Sequence, residues 1–140
     1  MCAAGLLAAT VATAIATIEP AAKGVQAANA WTLGEDAETK KNPLAADAKT
    51  LASGKAVFKD KCQRCHGPGG VGDGPDADPD AREDMDLTDA IRAGRNPDGV
   101  VYYKVLNGRR RPKMPPFKEE LTEEQIWAVV TYAQSLRKSP

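Results

Sequence analysis

"KDKCQRCHGPGG", residues 59–70, places two cysteines and the chain's only histidine within five positions of one another. Thiols at that spacing suit a redox dithiol, half of a zinc site, or the attachment point of a haem. Zinc wants four ligands, and beyond the N-terminal leader the chain offers Cys62, Cys65 and His66 with no second pair. A thioredoxin-like dithiol belongs in a βαβ unit, and no stretch alternates with period two convincingly enough for a strand. A disulfide across two residues closes too small a loop to stabilise much. C-x-x-C-H as the attachment motif of a c-type haem has a physical reason behind it. Each thiol can form a thioether to one vinyl group of the macrocycle, and His66 then faces the iron from one side.

Haem iron of the electron-transfer kind needs a sixth ligand, and there is no second histidine. The thioethers beyond the leader are Met85 and Met114. Met114 sits in "RPKMPPF", residues 111–117, a proline-braced loop suited to holding one side chain rigidly across the ring. Met85 lies among three carboxylates in "REDMDLT", residues 82–88, and reads as a packing or partly exposed residue. Soft sulfur favours Fe(II), so a His66/Met114 pair raises the reduction potential relative to two histidines. Both axial positions are then filled by protein, so electrons pass while substrates do not easily reach the iron.

The 140 residues balance 19 Lys and Arg against 19 Asp and Glu, so no global charge argues for nucleic acid or an anionic membrane. Residues 1–30 read as a signal peptide. Ala3 to Ile18 carry no charge, Glu19 and Pro20 break the run, and "AANA" at 27–30 supplies a small-residue cleavage site. The run is short and rich in Ala and Thr for a membrane span. The missing basic start leaves retention as a weak anchor as the alternative. Cys2 falls in this leader. Residues 31–46 lack any apolar period and read as an extended arm or linker, its Trp31 either packed on the domain surface or frayed, and residues 47–140 form the domain.

Within it the patterns are helical and the expected class is all-α. Leu51, Gly54, Val57 and Phe58 give one stripe over 47–61. Residues 67–80, rich in Gly, Pro and Asp, predict irregular structure. A short helix is expected over 86–94, and another opens with Asn96 as N-cap and Pro97 at the first helical position, to be stopped by Gly108. Thr122 and Gln125 form a capping box for the last helix, with Leu121 placed to staple against Ile126. Its buried face carries Ile126, Val129, Val130 and Ala133.

Together, "GKAVFKDKCQRCH", the glycine-rich "CHGPGGVGDGP", "KMPPF" and "LTEEQIWAVVTYAQSL" resemble, in that order, the class I monohaem cytochromes c over residues 47–137. The resemblance implies a small fold whose first and last helices cross at Gly54, opposite Val129, Tyr132 or Ala133. It implies one haem c held by Cys62 and Cys65, with His66 and Met114 as axial ligands. In the family a loop proline carbonyl accepts from the histidine's other ring nitrogen; Pro75 is the candidate, with Pro79 second. Tyr102, Tyr103 and Trp127 are candidates to line the haem crevice, with plain core packing the equal alternative, and Arg95 or Arg109 to pair with haem propionates. The implied function is a periplasmic single-electron carrier. A subunit of a larger membrane or periplasmic oxidoreductase complex is the alternative. A haem enzyme or gas sensor with a displaceable Met114 is the third reading.

Charge is segregated along the chain. Residues 73–89 hold eight acids and one base, whereas 92–118 hold eight bases and one acid. Either the two loops neutralise each other, or "GRRRPK", residues 108–113, forms a basic collar that steers a redox partner with an acidic docking patch. Asp76, Asp78 and Asp80 do not make a calcium loop, because Ala81 replaces the required Gly and Leu87 the bidentate Glu.

Overall fold

The computed structural model of the chain describes Met1 and residues 30–138. The leader expected over 1–30, Cys2 included, therefore lies outside the described residues but for its two end positions. The first helix, α1 (Ala48–Lys61), starts where the Asp47 carboxylate accepts from the backbone N–H of Thr50 at 2.8 Å. A short second turn, α2 (Gln63–His66), follows directly and carries the C-x-x-C-H motif.

The glycine-rich stretch departs from expectation at its end. Irregular backbone gives way to a 3₁₀ turn at Pro79–Ala81 and then to α3 (Arg82–Met85), with Pro79 preset for the first turn. The helix expected over 86–94 shortens to α4 (Ala90–Gly94). Asp86 accepts from both the N–H and the hydroxyl of Thr88, at 2.8 and 2.7 Å, so it makes a local turn instead of starting a helix. Asp89 caps α4 in its place. Next, α5 (Asp98–Asn107) has Pro97 at its cap position, because the Asn96 side chain donates to the Arg92 carbonyl and accepts from Lys104.

The last helix, α6 (Glu123–Ser135), has the capping box read from the sequence. It packs on α1 in the largest interhelical contact of the described residues. Phe58, Ile126, Val129 and Val130 are fully buried there. Gly54 lets the two backbones meet: a Cβ at this position would lie 2.1 Å from the Ala128 carbonyl oxygen and 2.8 Å from the Tyr132 Cβ. Of the residues expected opposite Gly54, Tyr132 is there, and Ala128 takes the closest approach. Tyr102 and Trp127 are buried and stack on each other, ring centroids 4.2 Å apart. No strand occurs among the described residues, which hold two isolated β-bridges.

Residues 31–46 lie along the helices. Asn42 donates to the Trp127 carbonyl and the Thr131 hydroxyl of α6, and its own N–H donates to the Asp98 carboxylate. Further up the arm, the Tyr103 hydroxyl donates to Asp36 at 2.6 Å and Asn107 to the Thr32 carbonyl at 2.7 Å. Ala37 is buried. The arm is thus fastened to α5 and α6, and this brings Trp31 to the site described next.

Candidate functional site

A cavity of about 530 Å³ is lined by Cys62, Cys65, His66 and Met114 together. That volume is in the usual range of roughly 300–1,000 Å³ for small-molecule and cofactor sites. Phe58, Val105 and Phe117 supply apolar wall.

The imidazole is oriented from behind. His66 Nδ1 lies 2.7 Å from the Met85 carbonyl oxygen. A carbonyl only accepts, so Nδ1 carries the proton and the lone pair of the neutral ring is on Nε2. Burial pulls the imidazole pKa down against the opposing pull of that hydrogen bond, which favours the neutral form a metal requires. This corrects the assignment of the orienting carbonyl to Pro75 or Pro79, both of which are exposed. The loop carrying Pro75 is drawn the other way. Asp76 N–H donates to the Arg64 carbonyl at 2.8 Å, and its carboxylate accepts from Arg64 at 2.6 and 3.1 Å. Leu87 N–H donates to the Gly70 carbonyl at 2.7 Å, and the Val71–Asp86 bridge beside it brings Met85 beneath the ring. Met85 is buried, in accord with its reading as a packing residue.

Cys62 and Cys65 form no disulfide, and both are half-buried. Burial pushes the Cys62 thiol up to about 12, with Cys65 adding to it. A dithiol that works by thiolate attack needs the opposite shift. Among the described residues no group of three or more His, Cys, Asp or Glu side chains gathers as a metal site of its own. Asp76 and Asp78 spend carboxylate oxygens on Arg64 and on the Asp80 N–H respectively.

Met114 is held by its loop. Arg109 and Met114 exchange both backbone hydrogen bonds, each at 2.9 Å. Gly108, at φ 60°, starts the loop, and a Cβ there would lie 2.2 Å from the Met114 carbonyl oxygen. At the other end Phe117 is buried, with its N–H donating to the Val105 carbonyl of α5 at 3.1 Å.

The charged lining has an excess of cations, among them Arg92, Arg95, Lys104, Arg109 and Arg137, over Asp84, Asp86 and Asp89. Burial, with Arg109 as a like-charged neighbour, pushes the Lys104 ammonium below its ordinary pKa. Tyr102, Tyr103 and Trp127 are not on the cavity wall; Tyr102 and Trp127 belong to the core cluster, with Tyr103 packed against it. With Phe58 and Phe117 on the cavity wall is Trp31, from the arm. Arg109 Cζ lies 4.5 Å and Lys104 Nζ 4.9 Å from its centroid. Of the two readings of Trp31, packing on the domain is the one observed.

Two thiols, an imidazole presented through Nε2, a thioether and a cationic rim around one cavity form a donor set that fits haem c. Helices closed over such a set define a c-type cytochrome domain. Residues 49–132, more than half of the chain, match the family described as cytochrome C oxidase, cbb3-type, subunit III, and the chain belongs to that family. It is 30% identical over 98 residues to the Cbb3-type cytochrome c oxidase subunit FixP of Sinorhizobium medicae (strain WSM419), covering 64% of this chain and 31% of that protein. The chain thus spans under a third of that curated relative's length. It is also similar to a chain of the Kuenenia stuttgartiensis reducing HAO-like protein complex Kustc0457/Kustc0458. There the TM-score is 0.54 at 29% identity, with 69% of this chain and 47% of that chain covered. Against the KustC0563 c-type cytochrome the TM-score is 0.49 at 27% identity, covering 61% of this chain and 98% of that one. Membership makes the chain an electron carrier with covalently bound haem c.

Proposed function

We propose that the chain carries a single haem c, tethered by thioethers to Cys62 and Cys65, with His66 Nε2 and the Met114 sulfur as axial ligands. The observation that carries this is the convergence of all four side chains on one cavity. The haem supplies a one-electron Fe(III)/Fe(II) couple, and the chain's own residues set its surroundings. The Met85 carbonyl keeps His66 basic and aligned, and the apolar wall limits water. Arg95, Arg109 and Lys104 are the candidates to offset the propionate charges. The intact mass of natively expressed protein tests the assignment. One haem adduct per chain is expected, together with loss of a leader ending near Ala30; a bare or doubly loaded polypeptide would contradict it.

The basic collar favours a partner with an acidic docking patch. Part of the charge segregation is neutralised internally, since Asp84 pairs with Arg92 and Arg109, and Glu83 with Arg92. Arg110, Arg111 and Lys113 beside Met114 remain exposed and make no ion pair within 4.0 Å among the described residues. Reversing two of these charges, Arg110→Glu with Arg111→Glu, is expected to slow electron exchange with a small acidic redox protein about tenfold at low salt. Stopped-flow mixing measures this, and the difference should shrink as ionic strength rises. Equal rates at low salt would remove the collar's role.

Export to the periplasm, with residues 1–30 as leader, is the setting proposed for this carrier. No helix among the described residues is long and apolar enough to cross a membrane. The relative named as an oxidase subunit favours a second reading, in which the domain serves a larger membrane or periplasmic complex. Copurification with native membranes, against release with the soluble periplasm, separates the two.

A further inference from the structure

We infer that Asp84 is a positioning residue: through Arg109 it clamps together the two segments that present His66 and Met114, and Trp31 of the arm caps the clamp. The inference rests on the proposed His66/Met114 ligation. On one side, Met85 gives its carbonyl to His66 Nδ1 at 2.7 Å, and Asp84 is the residue before it on α3. On the other side, Arg109 exchanges both backbone hydrogen bonds with Met114. The Asp84 carboxylate spans the gap, taking Arg109 Nη2 on Oδ2 at 3.0 Å and Arg92 Nη1 on Oδ1 at 2.8 Å. Arg92, and Arg109 after it, hold the Asp84 carboxyl below the ordinary carboxylate range.

An exposed ion pair contributes little, roughly 0–1 kcal/mol. Three features set this one apart. The Arg109 side chain is only 12% exposed, against 40% for Asp84. The Trp31 ring covers its guanidinium at 4.5 Å. Both carboxylate oxygens are engaged by separate guanidiniums, one from α4 and one from the Met114 loop. Arg109 also donates from Nε to the Pro112 carbonyl at 3.2 Å, so its side chain stiffens the loop it belongs to. Movement of that loop away from α3 would break the Asp84–Arg109 contact and uncover Trp31. The arm, fastened at Thr32, Asp36 and Asn42, in this way bears on the ligand across the cavity.

The test uses full-chain holoprotein carrying Asp84→Asn, Asp84→Glu or Trp31→Ala. Two readouts are the ferric sulfur-to-iron charge-transfer band and the affinity of the ferric haem for added imidazole, which has to displace the Met114 thioether. Asp84→Asn is expected to raise imidazole affinity about tenfold, equal to about 1.4 kcal/mol. Asp84→Glu keeps the charge and is expected within about twofold of the parent, whereas Trp31→Ala, which removes a half-buried ring of the cavity wall outside the core cluster, shifts affinity about threefold in the direction of Asp84→Asn. Thermal midpoints identify any variant that loosens globally. Parent-like imidazole affinity in Asp84→Asn, with the parent band present, overturns the clamp alone. Equal loosening in Asp84→Asn and Asp84→Glu also overturns it, since charge would then not be the agent. A parent protein lacking the sulfur-to-iron band refutes the Met114 ligation itself and the clamp with it.

Discussion

Replacing Met114 by alanine should turn the low-spin ferric spectrum high-spin, or into that of an exogenously ligated haem, and lower the reduction potential. The fall should be on the order of 100–200 mV, a modest part of the ~0.8 V span that axial ligation commands. His66 is the only histidine. Met85, the other thioether among the described residues apart from Met1, is buried at the cavity wall, and its backbone carbonyl is committed to His66 Nδ1. The emptied position would also admit carbon monoxide rapidly in the reduced state, which the parent should resist. Optical spectra and a potentiometric titration of the two proteins decide the matter. A Met114→Ala variant with the parent's spectrum and potential would refute the assignment.

The second large effect is structural. Gly54→Ala should lower stability by roughly 2–3 kcal/mol, although alanine is the better helix former by about 1 kcal/mol. The added Cβ would be 2.1 Å from the Ala128 carbonyl oxygen and 2.7 Å from its carbon. Those are backbone atoms of α6, which cannot swing aside like a side-chain tip, so α1 and α6 have to separate. Separation would loosen the packing of Phe58 against Val129 and Val130 and disturb the wall behind Cys62. At roughly 4–8 °C per kcal/mol for a domain of about this size, the thermal midpoint should drop by on the order of 10–20 °C. A melt of the holoprotein followed by circular dichroism measures it. An unchanged or raised midpoint would show that the helices do not meet at Gly54.

Local chemistry was legible in the sequence wherever the controlling contacts are themselves local. The Thr122/Gln125 box and the stripe through Leu51, Gly54, Val57 and Phe58 are short-range features, and the helices they define are present. Cys62, Cys65, His66 and Met114, which line one cavity, belong to residue types with few alternatives in this chain. What failed depends on long-range placement. Any of many backbone carbonyls could orient His66, and a carbonyl leaves no mark in the sequence. Pro75 was the wrong choice because the Asp76–Arg64 pairing, twelve residues apart, folds its loop against α2. Trp127 and Tyr102 read equally well as crevice or core, and their mutual stacking puts them in the core. Trp31 reaches the cavity only through the hydrogen bonds of an arm that has no apolar period to announce that it docks. Asp86 misled for a different reason, since its side chain competes with the helix it was expected to begin.

The central claim is that one iron is bound by the His66 nitrogen on one face and the Met114 sulfur on the other. X-ray absorption at the iron edge of the ferric holoprotein tests it most directly. One sulfur scatterer in the first coordination shell, absent in Met114→Ala, is the expected result. A first shell without sulfur in the parent, or one that keeps its sulfur in Met114→Ala, would contradict it.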